Sequence, residues 1–121
     1  MSIDNAHAYG DGPVCPRLNP FVRFGLRLAS PFNVKANLWS RAADAWSQFE
    51  RNATISDTCR FGPKAWCVNL TRDRGRVLLN GRVLCRGVLR LENVMNSQII
   101  IHPEVYIGDD CLLSCSNRIE I

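Results

Sequence analysis

Few side chains in this sequence can act as an acid, a base or a nucleophile. The chain has two histidines, His7 and His102, and one adjacent acidic pair, Asp109 and Asp110. An imidazole titrates near neutral pH, so it can accept a proton from a hydroxyl group as a general base. His7 lies in a segment without a regular pattern, whereas His102 follows an apolar position that a strand would turn inward. We therefore expect His102 to be a surface or subunit-contact residue, with general base as the alternative, and the two aspartates to be turn residues.

The cysteines lack the spacing of a metal site. No Cys-x-x-Cys pair is present, and two histidines are too few for the common zinc sites, so we expect no metal. Disulfides are rare in cytosolic proteins, which favours free and mostly buried thiols. The six residues concerned are Cys15, Cys59, Cys67, Cys85, Cys111 and Cys115.

The overall composition is that of an ordinary domain of 121 residues, with 46% hydrophobic and 21% charged residues and a net charge of +4. No apolar run of about 18 residues is present, which predicts no transmembrane segment. The first residues lack a basic and then apolar signal sequence, so we expect a cytoplasmic location. No long Lys/Arg run and no alternation of basic and aromatic residues is found, so the charge predicts a solvated basic surface and no nucleic acid partner.

The N-terminal half reads as three segments. Residues 1–32 are rich in Gly, Pro and Asn and predict an irregular arm, with at most one short helical turn at RFGLRL. Residues 33–52 predict an amphipathic helix that has Asn33 as its N-cap and packs its aromatic face on the domain. Oligomer contacts and membrane-surface docking are the alternatives for this helix. Residues 53–76 are expected to be a connecting segment.

The C-terminal half has a period of six residues. This period matches neither a helix nor a simple strand, but it suits a parallel β-solenoid in which each hexapeptide supplies a short strand and a corner. The small residues two positions earlier, such as Gly81 and Gly87, should occupy the corners. The aliphatic or Met positions are Val77, Val83, Leu89, Met95, Ile101, Ile107, Leu113 and Ile119.

These positions predict a mainly β fold in which residues 77–121 form about two and a half coils of the solenoid. Three hexapeptides per coil would stack residues eighteen apart, placing Val77 on Met95 and Val83 on Ile101. An antiparallel meander is the alternative, but it does not require aliphatic residues at a constant spacing of six. The pattern stops without a polar cap, which would leave a ladder unpaired, so we expect the sequence to be incomplete.

The phrase VYIGDDCLLS, residues 105–114, resembles the I-G-D-N unit of the hexapeptide-repeat, left-handed β-helix acyltransferases. Within that family, the sequence pattern of residues 60–121 most resembles the O-acetyltransferases of polysaccharide and lipopolysaccharide assembly. The resemblance implies a homotrimer that binds acetyl-coenzyme A between neighbouring subunits and acetylates a sugar or polysaccharide hydroxyl.

In that family a histidine acts as the general base, but it normally lies in later coils. No catalytic or cofactor-binding residue is therefore carried over to this sequence, and we expect residues 1–121 to be inactive alone. The alternative is a non-catalytic solenoid that serves as a scaffold or oligomerisation module. A γ-type carbonic anhydrase shares the solenoid but requires zinc-binding histidines that this chain lacks.

Overall fold

The computed structural model describes residues 13–121, which form two helices followed by short strands. The helices are α1 (Pro20–Ala29) and α2 (Val34–Asn52), and a 3-10 turn covers Arg74–Arg76. The strands are β1 (Thr54–Ile55), β2 (Arg60–Phe61), β3 (Trp66–Asn69), β4 (Val77–Leu79), β5 (Val83–Cys85), β6 (Val88–Leu91), β7 (Gln98–Ile101), β8 (Val105–Ile107), β9 (Leu112–Cys115) and β10 (Arg118–Glu120).

The strands build three parallel sheets with the orders β1-β4-β7-β10, β2-β5-β8 and β3-β6-β9. Because consecutive strands join successive sheets, the chain winds around three faces as a parallel β-solenoid of about three turns. The predicted class, a mainly β solenoid that follows an N-terminal helix, is confirmed. The solenoid begins at Thr54 rather than at Val77, because the predicted connecting segment 53–76 contributes the strands of the first coil.

The predicted stacking of residues eighteen apart is wrong. Val77 pairs with Ile99, 22 residues later, and Val88 pairs with Leu112, 24 residues later. The next step on the first face, from Ile99 to Ile119, is 20 residues, so the coil length varies. The extra residues lie in the corners, where the turn between β6 and β7 spans residues 92–97. Met95 falls within that turn and is 83% exposed instead of pointing into the core.

The interior is a column of aliphatic side chains and thiols. Alternate residues of a strand point to opposite sides, so two residues of most strands face the axis. In β7 these are Ile99 and Ile101, which are fully buried, and in β4 they are Val77 and Leu79. Parallel pairing places them directly above one another, which buries the column without interruption.

Two corners require glycine, as the sequence pattern predicts. Gly81 has a φ angle of 74°, and a Cβ atom built on it would lie 2.7 Å from Cγ of Pro103 in the next coil. A Cβ atom on Gly87 would lie 2.6 Å from the carbonyl oxygen of Cys111. Larger residues at these corners would therefore force successive coils apart.

Part of the predicted irregular arm is helical. The side chain of Asn19 accepts a hydrogen bond of 2.9 Å from the Val22 amide, and Pro20 occupies the first turn, where its missing N–H costs nothing. These two residues start α1, although Asn and Pro read as breakers in the sequence. Before the helix, Cys15 and Phe61 exchange two backbone hydrogen bonds of 2.8 and 3.0 Å, which fix residues around Cys15 to β2.

The predicted helix over residues 33–52 is confirmed as α2, and Asn33 is its N-cap. The Asn33 side chain accepts hydrogen bonds from the amides of Lys35 and Ala36 at 2.9 and 3.2 Å. These bonds satisfy two of the amides that the first turn of a helix leaves without a partner.

Helix α2 covers the first coil with its aromatic face, as predicted. Phe49 stacks on Phe61 of β2 with ring centroids 4.2 Å apart, and Trp46 meets the same ring edge-on at 6.1 Å. The side-chain amide of Gln48 bonds to both the N–H and the C=O of Cys67 in β3. The helix therefore hides the apolar end of the column and satisfies backbone groups of an edge strand.

The corrected register makes a prediction about stability. Ile99→Ala removes a buried side chain from the column and should lower the free energy of unfolding by about 2–5 kcal/mol. Met95→Ala, the matched change at an exposed position, should cost less than about 0.5 kcal/mol. Urea unfolding followed by circular dichroism measures both values. Equal losses would restore the eighteen-residue register, in which Met95 is a core residue.

Candidate functional site

His102 lies at the corner after β7, on the outside of the solenoid. Its Nε2 atom is 2.8 Å from Oε2 of Glu120 in β10, and the imidazole is half-exposed. The neighbours Ile101 and Ile119 face the interior, so alternation along each strand turns His102 and Glu120 outward. The predicted outward direction of His102 is therefore confirmed, and the fold adds a carboxylate partner from the following coil.

The carboxylate of Glu120 is shared between two donors. Nη2 of Arg118 lies 2.7 Å from Oε1, while the imidazole of His102 contacts the other oxygen. The pKa of Glu120 is lowered, chiefly by the hydrogen bond from His102 and then by Arg118. A carboxylate in this position orients the imidazole, which is the geometry of a general-base pair. Both side chains of the pair are nearly half-exposed, so residues 13–121 do not supply the water-excluding walls that strengthen electrostatic interactions in a catalytic site.

The two aspartates occupy the turn between β8 and β9, as predicted. Oδ1 of Asp109 is 3.2 Å from Nε of Arg86, whose side chain is fully buried between the corners of successive coils. This carboxylate therefore neutralises a buried guanidinium. Asp110 is exposed and has a φ angle of 60°, a conformation that Asp tolerates better than most residues.

The thiols are free, and five of the six are buried, which confirms the expectation for them. Burial raises the pKa values of Cys67 and Cys85 to about 12, so neither is a thiolate at neutral pH. Within residues 13–121, no group of three or more His, Cys, Asp or Glu side chains is arranged to hold a metal ion. His7 lies outside the described residues.

Sequence reasoning missed a cleft of about 410 Å³ between the segment before α1 and helix α2. The Arg17 guanidinium lies 5.6 Å from the ring centre of Trp46 and pairs with Glu50 at 3.5 Å and Asp57 at 3.3 Å. These partners are distant in sequence, so no local pattern signals the cluster. Because both carboxylates compensate the charge of Arg17, the cluster fastens the arm to α2 and to the first coil.

A second exposed feature is an apolar column on the outer face of the sheet β3-β6-β9. Trp66 of β3 pairs with Val88 of β6, which pairs with Leu112 of β9. Trp66 and Leu112 are exposed and Val88 is partly exposed. Three apolar side chains in register on a solvent-facing sheet are typical of a contact surface.

Comparison of the chain with protein-family models, with curated proteins and with solved structures finds no significant match. No helix among residues 13–121 has the length and apolar character needed to cross a bilayer.

The Arg86 contact predicts different roles for the adjacent aspartates. Asp109→Asn should lower the free energy of unfolding by about 2–3 kcal/mol, less than for a fully buried pair because Asp109 is partly exposed. Asp110→Asn is the matched control and should change it by less than about 0.5 kcal/mol, because Asn also accepts positive φ. Chemical unfolding measures both, and an equal response would show that Asp109 does not compensate Arg86.

The Glu120 contacts predict a specific pH dependence. His102→Asn should raise the pKa of Glu120 toward its ordinary value, and by more than Arg118→Gln does, because the His102 hydrogen bond is the largest cause of the lowering. A carboxyl whose pKa is lower in the folded state stabilises the fold above its ordinary pKa and loses this effect as pH falls through the folded value. Glu120→Gln should therefore destabilise the protein at neutral pH and much less at about pH 3. NMR titration of the side-chain carboxyl measures the shift, and an unchanged value in His102→Asn would contradict the pairing.

Proposed function

We propose that this chain belongs to an O-acyltransferase that moves an acetyl group from acetyl-coenzyme A to a hydroxyl group of a sugar or polysaccharide. The observation that carries the proposal is the three-faced parallel β-solenoid, together with the turn sequence Ile107-Gly108-Asp109-Asp110 between β8 and β9. The resemblance of residues 105–114 to the hexapeptide-repeat acyltransferases implies this same combination of fold and turn sequence. The proposal includes the left-handed winding of that family.

The proposed active assembly is a homotrimer. Solenoids that lie side by side enclose long clefts between their faces, and such clefts suit an extended ligand such as coenzyme A. The outer column of Trp66, Val88 and Leu112 supports self-association, because water contact with these side chains is unfavourable and a neighbouring subunit can cover them.

The proposed reaction is an acyl transfer by addition to the thioester and elimination of the thiolate. The acceptor oxygen attacks the thioester carbonyl, its proton passes to a base, and the coenzyme A thiolate leaves and takes up a proton. We assign His102 a structural role in this reaction, since Glu120 holds it on an open corner of an early coil. We place the base in later coils, as the resemblance implies.

The test compares residues 1–121 with the complete product of the gene that encodes them. Each protein is incubated with acetyl-coenzyme A and a panel of sugars and polysaccharides, and released thiol is measured. We expect transfer by the complete product and none by residues 1–121. The variant Leu112→Asp in the complete product should lower both its mass in light scattering and its activity, whereas Met95→Asp, at an exposed position outside the column, should change neither.

His102→Asn in the complete product decides the role of His102. A change in rate of less than about threefold agrees with a structural role, whereas a loss of about a hundredfold or more, with the fold intact, would identify His102 as the base. A complete product that neither binds acetyl-coenzyme A nor transfers the acetyl group would overturn the enzyme proposal. The solenoid would then be a scaffold.

A further inference from the structure

Helix α1 turns its apolar face away from the rest of the protein. Phe21, Phe24 and Leu28 recur at steps of three and four residues, which places them on one side of the helix. They are 89%, 64% and 61% exposed, and α1 contains no buried residue. In a helix that stabilises a folded domain, this face would be the buried one.

The opposite side of α1 faces α2 through polar contacts. Arg23 and Arg27 lie 4.0 and 3.5 Å from the same carboxylate oxygen of Asp44 in α2. The loop between the helices adds Phe32, and Val34 follows at the start of α2; they are 89% and 78% exposed. We refer to Phe21, Phe24, Leu28, Phe32 and Val34 as the α1 patch.

The charges around the α1 patch are mostly positive. Residues 13–43 contain Arg17, Arg23, Arg27, Lys35 and Arg41 and no Asp or Glu. Asp44 is the first carboxylate after them, and it serves two of the arginines. Lys35 and Arg41 are exposed on α2. Glu50 and Asp57 compensate the charge of Arg17, whereas Arg23 and Arg27 share one carboxylate. The α1 patch is therefore a cluster of exposed apolar side chains beside a net positive charge, to which Lys35 and Arg41 contribute most.

We infer that the α1 patch docks the protein on the surface of a bilayer that contains anionic lipid. A short helix of this kind lies in the plane of the interface, with its aromatic and aliphatic side chains among the upper acyl chains and its cations beside the phosphates. The anionic bilayer satisfies both properties of the surface together. A second copy of the chain would cover the apolar face but would bring two clusters of like charge together.

Vesicle flotation with the full 121-residue chain tests this inference. The probes are vesicles of phosphatidylcholine alone and vesicles that also contain about 30% phosphatidylglycerol, at low and high salt. We expect binding to the anionic vesicles, weak binding to the neutral ones and a loss of binding as salt is raised, because salt screens the attraction. Equal binding to both kinds of vesicle, or none to either, would overturn the inference.

Two matched sets of variants separate the apolar and the charged contributions. Phe21→Ser with Phe24→Ser should weaken partitioning at least about tenfold, whereas Met95→Ser, which removes an exposed apolar side chain from the solenoid, should not change it. Lys35→Gln with Arg41→Gln should weaken it about fivefold per charge removed, whereas Arg51→Gln with Lys64→Gln, at exposed positions outside residues 13–43, should have a much smaller effect.

The same variants distinguish lipid from a second copy. None of the substituted side chains is buried, so thermal unfolding should be unchanged and a loss of binding is not a loss of fold. If Phe21→Ser with Phe24→Ser instead dissociates an oligomer in light scattering and leaves vesicle binding unchanged, the α1 patch is a protein interface and the inference fails. The test uses no acetyl transfer, so its outcome is independent of the proposed enzyme activity.

Discussion

The parallel backbone hydrogen bonds between successive coils are the constraint on which the rest of this structure depends. Strand β4 is bonded to β1 on one side and to β7 on the other, and β7 continues to β10. The ladder fixes the strands in register, so differences in coil length are taken up in the corners. Pairs such as Arg86 with Asp109 and His102 with Glu120 meet because each residue lies near a corner and its partner lies on the next coil. The candidate site is thus a consequence of the ladder.

The ladder also requires a cover where it begins, and α2 supplies it. A first coil without a neighbour would expose unpaired amides and the apolar end of the column. Gln48 satisfies backbone groups of β3, and Phe49 and Trp46 close the column over Phe61. The inner face of α2 is therefore fully used in packing against the first coil. Helix α1 can then attach only to a part of α2 that the solenoid leaves open. Its contacts with α2 therefore include the ion pairs of Arg23 and Arg27 with Asp44, and no side chain of α1 is buried.

The sequence predicted the architecture better than the register. A recurrent aliphatic residue identifies short strands around an axis. The number of residues in each corner cannot be predicted from this period, because corner residues do not repeat in a regular pattern. The period therefore predicts a core position for Met95, which lies in a long turn. The first coil was missed because β1 and β2 have two residues each, too few to show alternation. The sequence predicts at most one helical turn at RFGLRL, within α1, because Pro20 and Gly25 are typical helix breakers. The helix is longer because Pro20 occupies the first turn, where proline is tolerated. The partner of His102 could not be found from sequence, because it depends on the length of the intervening coil.

The two exposed apolar surfaces differ in a way that separates their roles. The column of Trp66, Val88 and Leu112 lies on a sheet face, where a second solenoid can pack along its length. The α1 patch lies on a short helix and the loop that follows it, among cations. A surface of the first kind suits copies of the same chain, and one of the second kind suits phosphate groups beside hydrocarbon. An acyltransferase held at a bilayer would meet acceptors attached to that bilayer at a high effective concentration and would meet dissolved sugars rarely. If both proposals hold, the acceptor is therefore expected to be a hydroxyl presented at the membrane surface.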